Sequence, residues 1–467
     1  MNVAYQGLAL VFPLITVPWV SRALGVDNIG VYSYTYSIAY MFMLAGMLGV
    51  GNYGNRSVAR VRDNSEELSK EFSAVYTLQL SINCVAVIAY IVYLFLFARE
   101  YQQIAWIQLV YVFSICFDVS WLFFGLEQFK ITITRNLIIK VLSLVSIVLL
   151  VRQPGDLWLY TLIMAGSTFV SQFYLFVIMR RYVHFVRPDF HDVTRRFKDV
   201  LVLFLPVAAY SVYRVLDKTM LGSMSSVTQL GYFENAEKLI NIPIAVITAL
   251  GTVMLPRMSY ILANPRADYR GVIRKSMELA LIIACAMAAG LAVIAEDACP
   301  VVFGEGFEGC APVIKLLSIT VVCSAWSNVV RTQYLIPRAH DAVYVGSTVG
   351  AAVANLAINI VLIPRMGSLG ACVGTIAAEL FIVFYQSVAT HGELDTAQYF
   401  KMLIKQLAKT AIMVGAALLA ASFVEAPASR LIAEIVTFAI VFFLLNWSFI
   451  TKDFLGMGGG EEAHGIA

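Results

Sequence analysis

Charge is what this sequence has least of. Only 13% of its 467 residues are Asp, Glu, Lys or Arg, while 60% are hydrophobic; a soluble domain carries about 25% charged and about 45–50% apolar residues. With a mean hydropathy of +0.78, the chain lacks the polar surface to cover itself in water. That excludes a water-soluble enzyme as the leading reading, and it excludes disorder. Histidine is also scarce: His184, His191, His340, His391 and His464 all fall in predicted loops or the tail, without metal-ligand spacing. The seven cysteines include no CxxC. Five lie in apolar runs, whereas Cys299 and Cys310 bracket the loop CPVVFGEGFEGC, where a disulfide would require an oxidising compartment. No phosphate-binding Walker sequence and no nucleophile elbow occur, so neither a cofactor nor enzymatic chemistry is expected. A net charge of +3 gives no argument for nucleic acid.

What remains is apolar runs of membrane-crossing length, about 20 residues per helix. Fourteen candidate spans cover residues 2–20, 29–51, 73–97, 104–124, 136–151, 157–179, 200–221, 239–256, 277–296, 312–330, 344–363, 368–389, 410–424 and 431–450. The runs lack the alternation of barrel strands, so the expected fold is all-α and polytopic. Met1 enters an apolar segment directly, and no cleavable leader is predicted. With the N-terminus placed in the cytoplasm, 23 of the 33 basic residues fall in loops on that side and six on the other. This asymmetry predicts an even number of spans with both termini cytoplasmic.

Residues 181–199 hold six basic residues, counting Arg181, Arg187, Arg195, Arg196 and Lys198 with the adjoining Arg180, and read as a linker between two halves. Residues 20–32 (VSRALGVDNIGVY) and 221–233 (LGSMSSVTQLGYF) share a small-residue start, a polar loop and a Gly-aromatic end. The second span of each half then places an Arg, Arg56 or Arg257, shortly after a Leu-Gly pair. The expected organisation is therefore an N-terminal lobe at 1–180, the linker at 181–199, and a C-terminal lobe at 200–390. A helix pair at 391–450 and a Gly-rich flexible tail at 451–467 complete it. The two six-helix lobes would be pseudo-symmetric parallel repeats.

The segments FPLITVPWVSRALGVDNIGVYSYTYSI and GVGNYGNRSVARVR resemble the N-terminal signature of bacterial polysaccharide repeat-unit flippases, the Wzx type serving O-antigen and capsule. DVSWLFFGLEQFKITITRN, YRVLDKTMLG with GYFENAEKL, and IPRMGSLGACVGTIAAE agree, in order, from about residue 5 to 380. The wider superfamily holds multidrug antiporters and flippases of lipid-linked peptidoglycan precursors. The resemblance implies a two-lobed bundle in the bacterial inner membrane whose central cavity opens alternately to each side. It also implies a polyprenyl-pyrophosphate-linked oligosaccharide as substrate, the surrounding membrane lipid as partner, and a polysaccharide polymerase as a neighbour.

Charges inside apolar runs mark the candidate site, because each costs at least about 2.5–3.5 kcal/mol near a helix centre. The seventh span carries Arg214, Asp217 and Lys218, whose separations of three and four are read as placing all three on one helical face, and two bases against one acid leave excess positive charge for a pyrophosphate. Arg22, Arg56 and Arg257 end spans within the resembling segments and join the cationic set; interfacial snorkelling is the alternative for each. Asp217, Glu379 and Asp118 are the candidate cavity or coupling acids, Glu379 lying mid-span where protonation or Na+ binding would couple transport to a gradient. Glu127 and Lys130 are expected to pair along a helix, and Tyr32, Tyr34, Tyr36 and Tyr213 to stack on sugar faces. A cation-coupled drug exporter remains the alternative function, favoured only if the cavity is acidic.

Overall fold

The computed structural model describes residues 2–47, 49–189, 193, 196, 197, 200, 215–264 and 268–449. Those residues are helical almost throughout, and no strand occurs among them. The reason is solvent: hydrocarbon offers no partner for an N–H or C=O, so each crossing segment must satisfy its own backbone. Twelve helices among the described residues are long and apolar enough to cross a membrane. The first of these, Ile15–Val61, takes in the end of the first expected span and the whole of the second. Most of the expected seventh, 200–221, lies outside the described residues, so fourteen is an approximate count.

The chain forms two compact units, Met1–Asn235 with Ala352–Gly374, and Ala236–Ala351 with Thr375–Ala467. In the first unit, α1 (Asn2–Met47) is broken at Gly25, whose φ of 77° only glycine adopts at little cost. Next come α2 (Val50–Val61), α3 (Ser65–Leu96), α4 (Gln102–Ser114), the short α5 (Ser120–Gly125), α6 (Phe129–Leu150) and α7 (Leu157–Ile178). Helix α1 packs on α3, α4 and α6, while α7 packs on α4 and α6. Asn64 caps α3 by accepting from the amides of Glu66 and Glu67. Phe72, Trp121, Phe123 and Leu175 centre one core of this unit. Gly54 on α2 admits the Trp121 ring; a Cβ there would lie 2.5 Å from it.

Residues 215–224 form α8, followed by α9 (Val227–Ala263), which carries Pro243 and Pro256 inside it. The second unit continues with α10 (Tyr269–Ala298) and α11 (Cys310–Val330); α12 (Asp341–Met366) and α13 (Ser368–Ala389) each have residues in both units, and α14 (Thr396–Ala421) and α15 (Pro427–Phe449) end the chain's helices. Helix α10 packs against α11, α14 and α15. Side chains such as Phe97, Leu419, Leu444 and Phe423 (81% exposed) point outward, as lipid-facing surface requires. Cys299 and Cys310 are both buried free thiols, joined by a hydrogen bond.

The repeat read in the sequence has a reciprocal counterpart within the first unit. A Cβ at Gly30 would lie 1.8 Å from the carbonyl oxygen of Val227, and one at Gly231 would lie 2.2 Å from that of Val26. Asp27 likewise accepts from Thr228. The matched pairs are offset by the same 201 positions that align 20–32 with 221–233. Each of the two resembling segments thus presents its glycine to the backbone of the other.

Candidate functional site

One polar and charged cluster of the first unit draws on α1, α8, α9 and the later part of α12. Neighbouring positions on α8 point about 100° apart, so Asp217 and Lys218 serve different partners. Lys218 Nζ lies 2.7 Å from Glu234 Oε2 on α9, with 20% and 14% of the two side chains exposed. Ser33 on α1 donates to the same carboxylate oxygen at 2.7 Å. Around them stand the rings of α1: Tyr32 and Tyr36 stack at 5.7 Å, and Tyr32 meets Tyr160 edge-on at 4.8 Å. The Tyr36 and Tyr111 hydroxyls share a hydrogen bond of 2.7 Å. One residue further along α9, Asn235 donates to Ser21 at 3.1 Å.

Asp217 is only 3% exposed and turns to α12. Asn359 Nδ2 donates to its Oδ1 at 2.6 Å, and Asn355 Nδ2 reaches its Oδ2 at 3.5 Å. The two asparagines are four residues apart and therefore share a helix face; Asn359 also donates to Asn355 Oδ1 at 3.0 Å. Both are fully buried. Gly374 on α13 makes room for them, since a Cβ there would lie 2.1 Å from Asn359 Oδ1. That oxygen accepts no hydrogen bond among the described residues, although it is buried. A buried acceptor left open carries a desolvation cost that a proton donor would relieve.

The other expected site residues are dispersed. Arg214 and Tyr213 lie outside the described residues. Arg22 is exposed beside Ser21; Arg56 on α2 and Arg257 on α9 are exposed as well. Glu379 is half-buried on the part of α13 in the second unit, where Ser324 donates to it at 3.3 Å. Asp118 closes the single turn Ile115–Phe117 and caps α5, accepting from the Ser120 amide at 2.9 Å. Around that break, Gln79 Nε2 donates to the carbonyls of Ile115 and Asp118, Asn83 donates to Ile115, Tyr76 to Cys116, and Trp121 to Gln79 Oε1.

Two expectations are corrected. Glu127 lies outside a helix, with φ 59°, and its partner is Arg62 at 2.7 Å rather than Lys130. Arg135, read as a loop residue, is buried on α6 and donates to the Ser171 carbonyl at 3.0 Å. Sequence reasoning also missed Glu234, Asn355 and Asn359. Glu234 sits in a polar stretch ahead of the expected eighth span, whereas α9 begins twelve residues earlier than that span, at Val227 instead of 239. The asparagines carry no charge to flag them; their four-residue spacing within an apolar run was the available signal.

Against this geometry, residues 1–262 match the family described as polysaccharide biosynthesis protein. The chain belongs to that family. Over 391 residues it is 22% identical to a candidate O-antigen transporter of Escherichia coli (strain K12), covering 82% of this chain and 94% of the relative. A second such protein, from Shigella dysenteriae, is 20% identical over 81% of this chain and 96% of its own. The fold of this polysaccharide biosynthesis family member is similar to that of the lipid II flippase MurJ in an inward closed conformation. Their TM-score is 0.75 at 14% identity, over 97% of this chain and 99% of the other. An inward-facing MATE multidrug resistance transporter of the MOP superfamily is similar at TM-score 0.55 and 15% identity, over 82% and 94%. The exporter family suggested by the segments between residues 5 and 380 is the one found, in a multi-pass helical membrane protein.

Proposed function

We propose that this member of the polysaccharide biosynthesis family is a flippase, not an enzyme, that carries polyprenyl-pyrophosphate-linked oligosaccharide from the cytoplasmic to the outer leaflet of the inner membrane by alternating access. The observation that carries the reading is the Lys218–Glu234 pair, an ion pair kept on apolar helices of a chain from this family. Such a pair is a poor source of stability, so its presence there asks for a use. A pyrophosphate offers Lys218 the same charge-assisted geometry as a carboxylate with more negative charge, and it competes with Glu234 for the ammonium. Arg214, Arg22, Arg56 and Arg257 add positive potential along the route. The tyrosines around Tyr36 offer faces for sugar rings.

Asp217 with Asn355 and Asn359 serves as the coupling site in this proposal, taking a proton or Na+. Binding there offsets a buried negative charge on the helix that carries Lys218, so cation occupancy and anion affinity are linked through α8. The basic asymmetry of the loops supports cytoplasmic termini. The decisive experiment deletes the gene in its host and follows lipid-linked repeat units. Their accumulation on the cytoplasmic side, reversed by the wild-type gene but not by Lys218→Ala present at equal level in the membrane, is expected. Undisturbed glycan export with altered dye resistance would instead identify a multidrug antiporter. The MurJ-like fold keeps a lipid-linked peptidoglycan precursor as the second reading of the cargo; it predicts precursor accumulation and lysis in place of glycan loss.

A further inference from the structure

Where α10 ends and α15 begins, the second unit contains a polar cavity of about 440 Å³ that the proposed transport cycle leaves unused. Its charged walls are Glu296, Asp297, Lys315, Arg430 and Glu434. Four of these are matched. Arg430 grips the buried Asp297 through Nε and Nη2, each at 2.6 Å, and Lys315 Nζ lies 2.5 Å from Glu296. Glu434 is the exception. It is 3% exposed, yet its Oε2 accepts no hydrogen bond among the described residues. A buried carboxylate oxygen left so carries a desolvation cost that a donor would relieve.

Glu434 also borders a second cavity, of about 320 Å³, whose remaining walls are apolar and include Gly290, Val293, Phe438 and Phe442. Val293 lines both spaces. The two adjoin, with the charged chamber at the helix ends and the apolar groove continuing inward between α10 and α15. Polarity therefore changes from one neighbouring cavity to the other across Val293 and Glu434, and an occupant of both must be amphipathic. Three carboxylates against two cations make the chamber net negative by one charge. An anionic headgroup is disfavoured, and a headgroup lacking N–H donors cannot satisfy Glu434.

We propose that this composite cavity is a binding site for a glycerophospholipid with a primary-ammonium headgroup. The ammonium donates to Glu434 Oε2. The neighbouring phosphate meets Lys315 and the Nη1 of Arg430, which the pairing with Asp297 leaves over. One acyl chain follows the apolar groove past Gly290 and Phe438. The site depends on membrane residence alone and is independent of the cargo.

The test uses the full-length protein, purified in detergent and stripped of lipid, titrated with dioleoyl phosphatidylethanolamine, phosphatidylcholine or phosphatidylglycerol and read by native mass spectrometry. Phosphatidylethanolamine is expected to bind wild type about tenfold tighter than either other lipid, the weight of one charge-assisted hydrogen bond. Glu434→Gln should abolish that preference. Gly290→Leu should weaken all three lipids alike; a Cβ there meets Phe438 at an ordinary 3.7 Å, so the groove fills without a clash. Equal affinity of wild type for the three headgroups overturns the proposal, as does an undiminished preference in Glu434→Gln. Should Glu434→Gln fail to fold, the wild-type headgroup comparison decides by itself.

Discussion

Asp118 and Asp217 both interrupt apolar sequence, and by composition they look alike. In the fold they are used in opposite ways. The first unit breaks its backbone at Ile115–Phe117, and every side chain drawn to that break, Gln79, Asn83, Tyr76 and the Asp118 carboxylate, bonds a backbone group that the lost helix turn left over. The polar groups there answer a local deficit and leave no ion buried in their midst. Around Asp217 the partners among the described residues include side chains, Asn355 and Asn359, and the carboxylate is 3% exposed. Polar groups that repair backbone are explained by the backbone. A buried carboxylate held by side-chain amides answers no backbone deficit and asks for another use.

The comparison can be broken by substitution, beginning where the effect is greatest. Asp217→Ala is expected to cut export about 10–100-fold, the usual range for losing one coupled site, with little loss of folded protein; glycan export measured against membrane level checks it. Lys218→Ala takes the ammonium from Glu234 but leaves it the Ser33 hydroxyl, and should cost about 1.5–3 kcal/mol, whereas Lys218→Ala with Glu234→Ala should recover most of that stability and none of the transport. Thermal unfolding in detergent alongside export separates the two. Gly374→Ala pushes a methyl into Asn359 and is expected to cost about 1–3 kcal/mol while reducing export severalfold; if export is untouched, the asparagine geometry is not part of the cycle. Gln79→Leu orphans the Asp118 carbonyl and the Trp121 indole N–H, while Asn83 still serves Ile115. It should destabilise by about 2 kcal/mol, yet leave export per folded molecule unchanged. Asp118→Asn keeps a capping oxygen and should change stability by less than about 1 kcal/mol, with export intact. A transport defect in either of these last two would erase the distinction between the regions.

The same contrast explains what sequence could reveal. Spans were legible because hydrocarbon imposes one demand on every residue for about 20 positions, and the break at Gly25 fell between two of them. Asp217 and Lys218 were legible because a charge in an apolar run is rare. Glu234 was not, since it lies in a polar stretch that α9 carries along with its apolar part, and a window sensitive to mean hydropathy discards it. Its absence left the seventh span looking more cationic than it is: Lys218 is matched by Glu234, and Asp217 stands apart from both. Asn355 and Asn359 escaped because neutral amides do not alter a charge count. Arg135 escaped because α6 starts at Phe129, seven residues before the expected span. The Asp118 cap was hidden by tertiary structure, for nothing in the sequence says that the chain abandons its helix at Ile115.

Gly30 and Gly231 carry a consequence for genetics. A Cβ on either would meet main chain of the segment that its own resembles, so a methyl added to either one would wedge apart corresponding surfaces. Lesions at these two codons, two hundred and one apart, should therefore give matching phenotypes, and the pair of them little worse than one. Ancestral doubling would then be visible as equivalence between alleles, even where the letters around them have long ceased to agree.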